Sequence, residues 1–167
     1  MKIYITGFMG SGKSTFGKGL ANILGYNFQD LDETITNKAG KSIADIFEQD
    51  GEEKFRALEH ELLFETAELN NIVIACGGGT PCFNEQMQWM NNHGTTVYIK
   101  LFENELFNRL FEEDSPRPLL KGLNEAETHS FIYKNLRQRS YYYHQAQIVI
   151  DGLNITPEIL AKELIKE

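Results

Sequence analysis

Lys13 and Ser14 close the run Gly7-Phe8-Met9-Gly10-Ser11-Gly12-Lys13-Ser14-Thr15, which meets every fixed position of the pattern G-x-x-x-x-G-K-[ST]. A triphosphate needs several N–H donors converging on its oxygens, and backbone wraps that closely only where residues lack a Cβ. Gly7, Gly10 and Gly12 supply such positions. Lys13 then reaches the β and γ oxygens, Ser14 offers a hydroxyl to Mg²⁺, and a helix opening at Ser14 turns its positive end to the anion. The expected nucleotide contacts are Gly10, Ser11, Gly12, Lys13, Ser14 and Thr15. A glycine-rich turn that happens to precede a lysine is the alternative. The flanks speak against it, because Lys2-Ile3-Tyr4-Ile5-Thr6 reads as a strand and the residues from Phe16 to Leu24 carry apolar side chains at helical spacing.

Asp30 and Asp32 form the second group able to do chemistry. The extended pattern of Tyr26-Asn27-Phe28-Gln29 runs into them, and alternation puts both on one face at the end of that strand, the end that faces the ligand crevice in open parallel sheets. Next to a phosphate loop, one acid orders Mg²⁺ through its waters and the other orients an acceptor hydroxyl. The bland alternative is a helix N-cap with a neighbouring surface acid. No acid ends the later strand Ile72-Val73-Ile74-Ala75-Cys76, so Asp30 must serve the metal. That strand runs into Gly77-Gly78-Gly79, a bare backbone surface for a flat small molecule, or else an ordinary turn. Arg56, with Glu59 three residues on to brace it, is either a ligand or a solvated helix residue. Arg117 lies between two prolines in the polar stretch 111–124, the profile of an ordered but movable flap, although a surface arginine there is usually idle.

The elements that must position these groups follow from periodicity. Ser42 caps a short helix with Asp45 in its first turn, and a longer helix runs from Glu52 to about Asn70 with Phe55, Leu58, Leu62, Thr66 and Leu69 on one stripe. A helix over Asn84 to Asn92 uses Met87 and Met90 as core filler, and Thr95 to Leu101 is the fourth strand. Helices follow from Glu103 to Leu110 and from Glu125 to about Gln145, the latter carrying Arg137, Arg139 and a tyrosine run that is partly core. Gln147 to Ile150 is the last strand, and Thr156 caps a final helix with Pro157 at its first position and Ile159, Leu160 and Leu164 turned inward. Five strands alternating with helices predict a three-layer α/β/α fold on a parallel sheet. Residues 1–167 read as a single domain, without internal repeat or linker.

The bulk properties exclude several classes. A net charge of -8 gives no basic face for nucleic acid. No apolar run reaches eighteen residues, and the chain enters a strand at once without a signal-peptide core, so no membrane partner and a cytoplasmic location are expected. Cys76 and Cys82 lack the spacing of a zinc site or redox pair and read as reduced thiols.

The ordered set of motifs resembles the shikimate kinases, of the nucleoside-monophosphate-kinase branch of phosphate-loop enzymes. It comprises the loop at 7–15, Asp30-Leu31-Asp32, Ser42-Ile43-Ala44-Asp45-Ile46-Phe47, Gly51-Glu52 with Phe55-Arg56 and Glu59, Gly77-Gly78-Gly79, Arg117-Pro118-Leu119-Leu120, and Arg139 with Tyr143. The resemblance implies a sheet of strand order 2-3-1-4-5 and ATP-dependent phosphorylation of the 3-hydroxyl of shikimate, a step towards chorismate and the aromatic amino acids, by a monomer. It implies Arg56 and Arg139 as a clamp for the shikimate carboxylate and Gly78, within the run Gly77 to Gly79, as a backbone contact. Asp32 becomes the acid that accepts from the ring hydroxyls, acting as base or only as orienter. Lys13 and Arg117 supply positive charge to the transferring phosphoryl group, Ser14 and Asp30 hold Mg²⁺, residues 31–60 bind substrate, and 111–124 form a lid. The chain departs from many relatives at Thr36, where they carry Glu, and in the acidic residues 112–114. A kinase of gluconate or a nucleoside monophosphate, and a non-catalytic ATP-binding module, are the rival readings. Arg109 and the turn around Asn154 are the candidates for adenine contacts.

Overall fold

The computed structural model describes residues 1–111 and 118–165. Five parallel strands, β1 (Lys2–Thr6), β2 (Asn27–Asp30), β3 (Ile72–Ala75), β4 (Thr95–Lys100) and β5 (Ile148–Asp151), form one sheet in the order β2-β3-β1-β4-β5. This is the expected order. β1 and β3 are the central strands and consist of residues buried on both faces, as helices covering each side require. The registers Tyr4 with Ile74 and Asp30 with Ala75 bring the ends of β1, β2 and β3 to one level, so the phosphate loop, the acids and the glycine run leave the sheet together.

Eight α-helices cover the sheet among the described residues. They are α1 (Lys13–Leu24), α2 (Leu31–Ala39), α3 (Ile43–Gln49), α4 (Glu52–Glu65), α5 (Gln86–His93), α6 (Glu103–Phe111), α7 (Glu125–Tyr143) and α8 (Pro157–Leu164). One core cluster packs Ile3, Ile5, Val73 and Val97 against α1 and α8 through Leu20, Leu160 and Leu164. The other packs Tyr4, Ile74 and Tyr98 against the opposite layer through Leu31, Leu63, Met90 and Tyr143. Gly25 ends α1 in the left-handed conformation, as its position at the turn suggests, and Ser42 accepts from the Asp45 amide to cap α3.

Several boundaries differ from the expectations. Asp32 is not on β2 but in the first turn of α2, because Asp30 accepts from the amides of Asp32 and Glu33 and so starts a helix where alternation predicts continued strand. α4 stops at Glu65 and tightens into a 3-10 turn, Thr66–Glu68, leaving Leu69 exposed. α5 starts at Gln86 rather than Asn84, since Asn84 and Glu85 both take positive φ. Thr156 occupies the cap of α8 without its side chain accepting from the first helical amides, and Ile159 faces outward. α7 opens on a capping box between Asn124 and Glu127, a signal present in the sequence but not read from it.

Ile74 is fully buried in β3, three residues before the first glycine of the run. Ile74→Ala is expected to lower unfolding stability by about 2–5 kcal/mol, read as a shifted urea midpoint at unchanged slope; a midpoint unmoved from that of the parent protein would contradict the packing described.

Candidate active site

The phosphate loop bends between β1 and α1 on left-handed glycines, Gly10 at φ 77° and Gly12 at φ 87°, the second forming the N-cap of α1. Because Gly12 has no side chain to cap the helix, the first amides of α1 remain available to an anion at the positive end of the helix dipole. Arg109 reaches under the loop from α6 and donates to the carbonyls of Gly10 (3.5 Å) and Ser11 (3.3 Å). The Ser11 hydroxyl is buried and has no hydrogen-bond partner among the described residues, and Lys13 donates from Nζ to the Phe8 carbonyl at 2.9 Å.

Asp30 does two things with two oxygens. Oδ1 caps α2, while Oδ2 accepts from the Ser14 hydroxyl in the first turn of α1. The cap and metal-site readings are therefore not alternatives: the cap is what aims the other oxygen. A cavity of about 210 Å³ lies here, walled by Gly10, Gly12, Lys13, Ser14, Thr15, Asp30 and Asp32.

A second cavity, of about 230 Å³, opens beside it with Asp32, Arg56, Gly77, Gly78, Gly79 and Arg139 on its walls and Met9, Phe47 and Phe55 as apolar lining. Asp32 belongs to both cavities and marks their junction. The glycine run is essential to this convergence. A Cβ on Gly77 would stand 2.8 Å from Oδ1 of Asp32, and one on Gly79 would stand 2.7 Å from a terminal nitrogen of Arg56. Ordinary side chains at those positions would displace the acid and the guanidinium. Gly78 lies against Arg139, and its carbonyl accepts from the Tyr143 hydroxyl at 2.5 Å. Tyr143, fully buried and stacked on Tyr98, has its hydroxyl pKa raised by burial, which keeps it a neutral donor.

Arg56 is not a solvated helix residue. Its side chain is 14% exposed, and it donates from Nη1 to Glu59 at 2.8 Å across one helical turn. The Phe83 ring lies 3.9 Å from its Cζ, so a cation–π contact on one side and a carboxylate on another hold the guanidinium. Arg139 comes from α7 and lies 5.6 Å from the Phe8 ring. The structure thus gathers Lys13, Ser14, Asp30 and Asp32 around one cavity and Asp32, Arg56, Arg139 and the glycines around the other. Arg117 lies outside the described residues. Arg109, a candidate adenine contact, donates to the loop carbonyls. The sequence alone does not reveal Phe83 or the Tyr143 hydrogen bond, because their partners Arg56 and Gly78 lie 27 and 65 positions away across intervening helices and strands.

Three comparisons bear on this arrangement. Residues 9–167 match the family model described as Shikimate kinase. A shikimate kinase of Parabacteroides distasonis is 41% identical over 157 residues, covering 94% of this chain and 91% of that protein. The crystal structure of shikimate kinase from Bacteroides thetaiotaomicron superposes with a TM-score of 0.92 at 38% identity, covering 99% of this chain and 97% of that one. That of shikimate kinase from Acinetobacter baumannii in complex with shikimate gives a TM-score of 0.86 at 31% identity, with 99% and 90% coverage.

Gly79→Ala tests the close approach directly. The added methyl must push Arg56 aside, so a crystal structure of the variant should show the guanidinium shifted by about 1 Å or more from its contact with Glu59. A guanidinium in the parent position would contradict the close approach described.

Proposed function

The chain belongs to the shikimate kinase family, and on that premise we infer that it transfers the γ-phosphoryl group of ATP to the 3-hydroxyl of shikimate, giving shikimate 3-phosphate and ADP on the route to the aromatic amino acids. The single observation that carries this reading is the junction of two cavities at Asp32, one walled by the phosphate loop and the other by two arginines, the glycine run and apolar side chains.

Each residue then has a role. The forks of Arg56 and Arg139 bind the carboxylate, since a planar guanidinium offers parallel donors to two oxygens. The backbone of Gly77, Gly78 and Gly79 supports the ring. Asp32 accepts from the reacting hydroxyl and takes its proton while the hydroxyl oxygen bonds to the γ-phosphorus and the bridging oxygen departs with ADP. Lys13, the amides of Gly10 to Thr15, and Arg117 from the lid at 111–124 neutralise the phosphoryl oxygens. Residues 31–60, spanning α2, α3 and the start of α4, form the substrate-binding region of a single 1–167 kinase domain.

Ser14 and Asp30 suit Mg²⁺, because a neutral hydroxyl and a carboxylate oxygen already meet at one point beside the phosphate cavity. Among the described residues no group of three or more His, Cys, Asp or Glu gathers, which fits an ion that takes most of its ligands from water and phosphate. When bound there, the ion would supply positive charge to offset that of the phosphate oxygens. A monomer acting in the cytoplasm without nucleic-acid or membrane partners completes the reading; the net charge of -8, the two free cysteines and the lack of any described helix long and apolar enough to cross a membrane support it.

An ADP-release assay against shikimate, gluconate and nucleoside monophosphates tests the assignment. Release should be strongly stimulated by shikimate alone, and preference for another acceptor would overturn it. Asp32→Asn should lower kcat by about two orders of magnitude or more with the KM for ATP little changed. Near-normal turnover would remove Asp32 from proton transfer.

A further inference from the structure

The loop that follows the glycine run carries a hydrogen-bonded series that no step above uses. Gln86 is fully buried at the start of α5, behind Asn84 (φ 50°) and Glu85 (φ 55°), two successive non-glycine residues in the left-handed region. Such backbone is costly for residues with a Cβ and persists where surrounding contacts hold it. Here they are identifiable. Nε2 of Gln86 donates to the Thr80 carbonyl at 2.7 Å, and Oε1 of Gln86 meets Nδ1 of His60 at 3.1 Å. A carbonyl can only accept, so the amide nitrogen faces Thr80 and the amide oxygen accepts from His60, which donates from Nδ1.

Thr80, also fully buried, passes the order inward. Its hydroxyl donates to Oε2 of Glu59 at 2.6 Å, while Oε1 of Glu59 accepts from Arg56 at 2.8 Å. Glu59 is 1% exposed, so neither oxygen is left to bulk water and each has its own donor. The same loop supplies Phe83, whose ring covers the Arg56 guanidinium. A long, flexible arginine is thereby fixed by a carboxylate whose own rotation is fixed by a threonine. That threonine is in turn pinned by a glutamine.

We propose that Thr80 and Gln86 are positioning residues for substrate: acting through Glu59, they hold Arg56 in the orientation that receives the shikimate carboxylate. The proposal rests on the shikimate reading given above. Because the carboxylate is remote from the reacting hydroxyl, loss of its alignment weakens binding more than it slows the chemical step. A role confined to folding would instead lower thermal stability without selecting one substrate.

The test is initial-rate kinetics over both substrates for Thr80→Val, Gln86→Met, Thr80→Ser and His60→Leu, with thermal midpoints recorded for each. Thr80→Val keeps the shape and removes only the donor. It and Gln86→Met should raise the KM for shikimate about tenfold, with kcat and the KM for ATP within about twofold of the parent. Thr80→Ser, which retains the hydroxyl, should behave as the parent. His60→Leu, at the half-buried outer end, should keep its fold and move shikimate KM in the same direction by a smaller factor. Unchanged shikimate KM in the folded Thr80→Val or His60→Leu protein overturns the proposal, as does an equal rise in both KM values or a Thr80→Ser protein as impaired as Thr80→Val. Parent protein that fails to turn over shikimate sinks the functional reading itself, whereas normal parent turnover with unmoved variants sinks this inference alone.

Discussion

One carboxylate joins the two halves of the site. The Asp30 oxygen that caps α2 sets the direction of that helix, and so sets where Asp32 stands; the other oxygen is tied to Ser14, the second residue of the phosphate-loop helix. Without this tie the nucleotide cavity would be framed by β1 and α1 while the acceptor cavity would be framed by α2, α3 and α4, with their separation left to the register of the sheet and the packing of the glycine run on the phosphate loop. Phosphoryl transfer depends on that separation, because there is little for the protein to do beyond bringing the acceptor in line with the phosphorus and balancing charge. The parallel register of β1, β2 and β3 provides the coarse alignment, and the Asp30 contacts refine it.

The charges on the acceptor side pose a different problem. Arg56 and Glu59 are largely withdrawn from water, and a buried ion pair is tolerated only when its remaining donors and acceptors are also met. Thr80, Phe83 and the glycine run meet that demand. The glycines admit the guanidinium and the Asp32 carboxylate to the backbone, Thr80 occupies the spare carboxylate oxygen, and Phe83 covers the guanidinium face. Preorganisation of this kind lowers the cost of fixing a long side chain when ligand binds. On the nucleotide side Arg109 tethers the phosphate loop by donating to the carbonyls of Gly10 and Ser11.

Much of this was legible in the sequence, and the reasons differ by residue. The phosphate loop is recognisable because it is local: strand, glycine turn, lysine and helix are contiguous, and the geometry depends on backbone alone. The strand order and the convergence of Arg56 and Arg139 on one cavity were legible through the ordered motifs of a family, since helical periodicity by itself makes Arg56 look like a surface residue. Asp32 was assigned to a strand because alternation was extended through Asp30; the capping ability of an aspartate overrode it and began a helix. Gln86, Thr80 and Phe83 were invisible for another reason. They follow the glycine run in a stretch with a left-handed turn at Asn84 and Glu85, and their partners are 6 to 27 positions distant, most of them on α4. Tyr143 looked like core, and it is core, yet its hydroxyl also holds the Gly78 carbonyl.

The account stands or falls on where the acceptor lies relative to Asp32. A crystal structure of the protein with shikimate and a non-hydrolysable ATP analogue is the direct measurement. It should show the shikimate carboxylate between Arg56 and Arg139, one ring hydroxyl within hydrogen-bond distance of Asp32, and that same oxygen facing the terminal phosphorus. Shikimate seated elsewhere, or turned so that its carboxylate meets Lys13 while Arg56 and Arg139 touch only solvent, would contradict the claim that the two cavities form a single phosphoryl-transfer site.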